Sequence, residues 1–273
     1  MKKSVIFAAI VLVCAGAGAS AQSNPYNVQG GDSIDGTLTG PVDYTGTGHA
    51  GMEKVPGLLG VGIKMFYENR QEISTAAQGN FKLMKMPNGS PYWTLGRIVD
   101  GTKSAQGYYE NEVYFGSWVY DPAIYQPTTW DRAQFYTGMQ GSGDISTKTG
   151  TVTYDVRGIS NYVNGAGAQP DSFLIGSLSA NFTTAVLNGG ISNSSGNKQI
   201  AFVNVKIDKA SGSYGTAGGG LVIGVQGTTQ YNGVTAGHFY GDQAQILAGY
   251  ATFAGNADLN TAYGGASGSA KFE

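Results

Sequence analysis

Two histidines, His49 and His238, are the only imidazoles in this 273-residue sequence. A neutral ring nitrogen can ligate a metal or move a proton near neutral pH, so each is a candidate centre of chemistry. The single cysteine, Cys14, lies in an apolar leader. The rest of the chain therefore has no thiol nucleophile and no Cys/His zinc site. Glu110 and Glu112 share one face of a strand pattern, a carboxylate pair that does nothing without a cleft. There is no Gly-x-Ser-x-Gly elbow and no His-Glu-x-x-His. Gly218-Gly219-Gly220 reads as a turn, because no helix pattern follows it to hold a phosphate. The expectation is a binding protein, not an enzyme.

Binding needs a surface, and the aromatic residues supply a candidate. Ten fall between positions 108 and 136: Tyr108, Tyr109, Tyr114, Phe115, Trp118, Tyr120, Tyr125, Trp130, Phe135 and Tyr136. That density exceeds what a small β-domain needs for packing alone. Tyrosine-rich surfaces of low charge also suit recognition of another protein.

The N-terminus has the form of a secretory signal, residues 1–21. Lys2 and Lys3 precede the apolar run Val5 to Val13, and Ala19-Ser20-Ala21 offers a cleavage site. The run is too short to cross a bilayer. Val13 stands where lipid attachment at Cys14 would want a small residue. The expected product begins at Gln22 and is exported in soluble form. Losing two lysines leaves 14 Lys+Arg against 18 Asp+Glu, so the formal charge moves from −2 to −4. That balance offers no basic face for nucleic acid.

Forty-four glycines, 17 tyrosines and only 12% charged residues indicate an all-β chain. Hydrophobic residues make up 41% and sit in alternating runs, which excludes disorder. Val152, Tyr154 and Val156 alternate with Thr151, Thr153, Asp155 and Arg157. Leu174, Leu178 and Ala180 oppose Ile175, Ser177 and Ser179, and Ala201, Val203, Val205 and Ile207 oppose Ile200, Phe202 and Lys206. With further strand patterns at 135–141, 220–225, 234–240, 247–254 and 268–272, about eight strands fit the last 140 residues. An antiparallel eight-stranded β-barrel is the natural closure, since it leaves no open edge. The charged alternate faces and the ending Lys271-Phe272-Glu273 favour a soluble barrel over one embedded in a membrane. The division expected is a β-rich clamp or handle domain over 22–134 and the barrel over 135–273. In the handle, Leu58 to Tyr67 reads as a strand, with turns at Asn88-Gly89 and Gly101-Thr102.

The stretch 237–253, Gly-His-Phe-Tyr-Gly-Asp-Gln-Ala-Gln-Ile-Leu-Ala-Gly-Tyr-Ala-Thr-Phe, resembles the closing strands of one barrel type. It is that of transferrin-binding-protein-like and hemophilin-like surface and secreted proteins of Gram-negative bacteria. The whole layout is similar to the hemophilins: leader, handle, barrel. The resemblance implies export by type XI secretion through an outer-membrane translocon of the surface-lipoprotein-assembly-modulator type. It implies a secreted protein, with cell-surface association as the alternative, whose handle captures haem b for iron acquisition. Delivery would be to a TonB-dependent-type outer-membrane receptor.

On that reading His49, in a loop of small residues, is the axial ligand of the haem iron, and the chain holds metal in no other way. Tyr114, Trp118, Tyr120 and Trp130 line the pocket. Arg70, Lys82, Lys85, Arg97 and Lys103 are available for the propionates, although surface placement explains each as well. His238 shares a strand face with Val234, Ala236 and Tyr240 and suits barrel packing. It is the second axial candidate if the handle folds back over it. Met52, Met65 and Tyr67 stay open as partner ligands. The alternative function is a host-interaction or adhesion protein on the same scaffold, gripping a protein or another metal complex through the aromatic handle.

Overall fold

The computed structural model describes residues 26–27, 32–34, 72–75, 81–85, 92–105, 109–119, 132–139, 144–160 and 172–273. The leader, the strand expected at 58–67 and the turn at Asn88-Gly89 lie outside these residues. Seven strands come first: β1 (Tyr26–Asn27), β2 (Asp32–Ile34), β3 (Glu72–Thr75), β4 (Lys82–Lys85), β5 (Tyr92–Lys103), β6 (Tyr109–Val119) and β7 (Arg132–Met139). They form one antiparallel sheet in the order β3-β4-β5-β6-β7, with β1 and β2 sharing the free side of β7. Nine more complete the barrel region: β8 (Thr151–Ser160), β9 (Phe173–Asn181), β10 (Val186–Ser192), β11 (Lys198–Asp208), β12 (Ser213–Gly215), β13 (Leu221–Gln226), β14 (Thr229–Tyr240), β15 (Ile246–Thr252) and β16 (Thr261–Ala266).

The circuit β8-β9-β10-β11-β13-β14-β15-β16 closes when β16 pairs with β8, from Thr261 opposite Ser160 to Ala266 opposite Asp155. This is the eight-stranded antiparallel barrel expected. Its interior is filled, as suits so narrow a barrel. Phe239 packs on Phe182 and on Tyr214, each at 5.2 Å between centroids, and Phe202 meets Tyr263 edge-on at 5.1 Å. Tyr154, Leu174, Leu178, Val205, Val222, Phe253 and Leu259 complete this core.

Three local readings change. The pattern at 135–141, expected in the barrel, belongs to β7 and pairs with β6. The 268–272 pattern ends in a two-residue strand, β17 (Lys271–Phe272), which leaves the barrel and pairs with Ile98 and Val99 of β5. Gly101 is a bulge within β5 (φ 78°) rather than a turn, with the register shifting between Asp100 and Lys103.

Alternation also breaks inside β11. Ile200 and Phe202 point inward and so do Val205 and Ile207, while Val203 and Asn204 are both exposed. The expected face Ala201-Val203-Val205-Ile207 is therefore split. A bulge causes it: Val203 and Asn204 together oppose Asn188, because Leu187 pairs with Val205 and Gly189 with Phe202. Asn204 takes φ 51°, and its N–H donates to Asn188 Oδ1 at 2.8 Å. One extra residue inverts the side-chain parity of everything after it.

The sheet lies against the outside of the barrel. Ile98, Val113, Phe115 and Tyr136 on its near face pack with Ile159, Phe173, Tyr240, Ile246, Ala248, Ala262 and Ala266 of the barrel wall. Phe81 closes one end, 5.5 Å from Phe115 and 5.3 Å from Phe173. Close approach depends on missing side chains: a Cβ on Gly264 would lie 2.5 Å from the Phe115 ring.

Candidate functional site

With the barrel interior filled, the places to search are the seam between sheet and barrel, the far face of the sheet, whose described central residues are buried, and the outer barrel wall. His238 belongs to the seam. It sits on β14 opposite Ser213 of β12 and Ala248 of β15. Its ring meets Tyr240 edge-on at 5.4 Å and it is 3% exposed. Burial lowers its pKa to about 4, so it is neutral at pH 7. Its Nε2 has no hydrogen-bond partner, but iron could reach that atom only if the seam opened.

Beside it Tyr136 of β7 faces Tyr250 of β15 across 6.1 Å. Burial raises the Tyr136 phenol far above its ordinary value, so it stays protonated. One row further along the sheet, Thr94, Ser117 and Gln134 are direct cross-strand neighbours and all are buried. Ser117 Oγ and Gln134 Oε1 lack partners. Nothing in the sequence distinguishes these three polar residues, since only the register sets them side by side.

On the far face, Arg97 of β5, Tyr114 of β6 and Thr137 of β7 form another cross-strand row. Arg97 Nε donates to Glu112 Oε1 at 2.9 Å, and Nη2 contacts the same oxygen. Arg97 Nη1 donates to Glu273 Oε2 at 2.8 Å. Tyr114 donates its hydroxyl to Glu112 Oε1 at 2.6 Å, and Tyr109 donates to Glu273 Oε1 at 2.7 Å. Burial opposes the Arg97 charge, but Tyr114, Glu112 and Glu273 outweigh it and hold the guanidinium above its ordinary pKa. The guanidinium also lies 5.4 Å from the Tyr109 ring and 5.7 Å from that of Tyr114. Arg97 is thus spent on two carboxylates of its own chain and is not a surface group awaiting a propionate. Glu110 and Glu112 do share a face, but Glu110 is exposed while Glu112 is sealed under Arg97.

The outer wall carries a cleft of about 620 Å³ between β11, β12, β14 and Tyr136. Next to it, Val203, Leu221 and Val234 stay 37%, 54% and 57% exposed on neighbouring strands. Among the described residues no three His, Cys, Asp or Glu side chains converge on a metal site.

Of the residues expected at a haem site, Tyr114 is buried with its hydroxyl committed to Glu112. Trp118 pairs in register with Trp93 of β5 and Ala133 of β7. His238 is in the seam, away from Tyr114, which occupies the opposite face of the sheet. His49, Tyr120 and Trp130 lie outside the described residues. His238, the ligand candidate among the described residues, keeps its ring buried in the seam.

The family described as HphA C-terminal domain matches residues 145–267. Among solved structures, HpuA from Kingella denitrificans in complex with human haemoglobin is 15% identical, covering 74% of this chain and 71% of that one at a TM-score of 0.44. The apo haemoglobin receptor HpuA of the same organism is 14% identical, with 76% and 89% covered and a TM-score of 0.41. Isotype 1 transferrin binding protein B from serogroup B Neisseria meningitidis is 14% identical, with 73% and 35% covered and a TM-score of 0.42. The chain therefore spans about a third of that protein's length. The matched segment opens just before β8 and closes just after β16, so the family covers the barrel circuit. Residues 145–267 of this chain, the barrel circuit, are thus similar to the HphA C-terminal domain family.

Proposed function

We propose that the protein is a secreted hemophore, which captures haem b in its N-terminal part and hands it to an outer-membrane receptor of the TonB-dependent type. The observation that carries this reading is the match of residues 145–267 to the HphA C-terminal domain. The filled barrel core supports it by leaving the ligand to the other half of the chain. The role is binding and transport, not catalysis. Export would proceed through an outer-membrane translocon that handles the barrel, leaving the protein outside the cell or on its surface. With His238 sealed in the seam and Tyr114 bonded to Glu112, we assign the axial ligand to His49. Trp118, Tyr120 and Trp130 would contribute stacking area, and Tyr114 would support the sheet beneath them.

A second reading, a host-interaction protein on the same scaffold, draws on the exposed row Val203, Leu221 and Val234, since solvent-facing apolar rows suit protein contact.

Titration of the chain from Gln22 with hemin tests the first reading. A shifted Soret band that is lost in His49→Ala is the expected result. A spectrum of free hemin alone removes haem capture and leaves the second reading.

A further inference from the structure

The cleft on the outer barrel wall has the make-up of a ligand site, and His238 is not among its lining residues. A widened bulge opens it. Residues 216–220 stand opposite only Asn204 and Val205, because Gly215 pairs with Lys206 and Leu221 with Val203. Gly215, Ala217, Gly218, Ala236 and Gly237 line it, and such small side chains leave the strand backbone as a flat floor. The Tyr136 ring stands at its edge, braced by Tyr250.

Several polar groups of the lining are committed, and the Tyr214 hydroxyl is buried within the barrel core. Thr235 Oγ1 is bonded to the Tyr250 carbonyl at 2.6 Å and to the Tyr263 hydroxyl at 2.7 Å. Ser213 Oγ is bonded to Ser211 Oγ at 2.7 Å. The Asp208 carboxylate accepts from Ser211 Oγ at 2.8 Å and Ala210 N–H at 3.0 Å, and these bonds hold it below its ordinary pKa. Lys206 pairs with no carboxylate among the described residues. Its stem lies along the bulge, with Cβ 3.1 Å from where a side chain on Gly218 would begin. Lys206 is thus the one cation among the described lining residues, at the rim of a slot floored by small side chains.

We propose that this cleft binds a flat, largely apolar anion, with its ring plane over the Gly215–Ala236 floor beside Tyr136 and its acidic group on Lys206. The volume of about 620 Å³ falls in the range of small-molecule sites, roughly 300–1,000 Å³. Among its described lining residues there is no imidazole, thiol or thioether, so the recognition proposed rests on shape and charge. The inference stands apart from the hemophore reading.

Metal-free protoporphyrin IX, planar and bearing two carboxylates, is the probe, followed by its fluorescence on titration with the chain from Gln22. The expected result is saturable binding that Lys206→Glu weakens about tenfold or more and that Ala236→Trp, which fills the floor, abolishes. If Ala236→Trp fails to fold, Lys206→Glu on the exposed rim decides alone. Absence of wild-type binding up to about 100 μM, or binding that ignores Lys206→Glu, overturns the proposal. The probe has no iron for His49 to ligate, so its failure leaves haem capture standing, and a failed hemin titration leaves this site standing.

Discussion

The ring of Phe272 lies 4.0 Å from the guanidinium carbon of Arg157. The final strand thus pairs with β5 of the sheet while its aromatic side chain caps a cation on β8 of the barrel. Phe272 also meets Phe115 edge-on at 6.4 Å, so one residue joins both halves. Phe272→Ala should destabilise the protein by about 1–2 kcal/mol, the scale of a partly desolvated cation–π contact. Urea unfolding checks this, and an unchanged midpoint would show the tail to be a bystander.

The Arg97–Glu112 pair is buried, and either partner alone would be a sealed charge. Arg97→Met should therefore lower stability by about 3–5 kcal/mol, whereas joint replacement of Arg97 and Glu112 by apolar residues should recover much of it. A double-mutant cycle in denaturant measures the difference. If the double variant is as weak as the sum of the singles, the penalty lies in lost packing, not in stranded charge.

His238 predicts a pH response. Its folded pKa of about 4 lies below the ordinary 6.5 because of burial, so the unfolded chain takes up the proton first. Its neutral state imposes no penalty above pH 6.5. Stability then falls between pH 6.5 and 4, by at most ~3 kcal/mol, and the loss levels off below that range. His238→Leu should flatten this segment of a stability–pH curve measured by thermal unfolding. An identical slope in the variant would place the response on other groups.

Gly264 leaves room for the Phe115 ring, which a Cβ would meet at 2.5 Å. Gly264→Ala should cost about 1–3 kcal/mol through overpacking and loosen the sheet from the barrel. Limited proteolysis between β7 and β8 reads that loosening directly. Intact resistance in a destabilised variant would show that the strain is absorbed inside the barrel.

Much of the barrel is legible in the residues themselves. The alternation of Val152, Tyr154 and Val156, or of Leu174, Leu178 and Ala180, states which residues share a face because strand periodicity is two. The closing motif at 237–253 contains β15 and the end of β14. Alternation fails at Asn204, where a bulge with φ 51° inverts parity. No hydropathy pattern announces it, because the acceptor that stabilises it, Asn188, is sixteen residues away in the chain.

The sequence by itself determined the fold class and the poverty of catalytic groups, whereas its count of eight barrel strands included 135–141 and 268–272 in place of β10 and β16. The first two depend on local periodicity and residue type. Only the tertiary structure decided that 135–139 belongs to the sheet, that Lys271-Phe272 returns to β5 and that Arg97 serves Glu112 and Glu273. It also sealed His238 and assembled the Lys206 cleft from three strands and a tyrosine of the other sheet. These are matters of register and docking between segments far apart in the chain. A residue's type records what it can do, whereas its partners are set by which surfaces come together to exclude water.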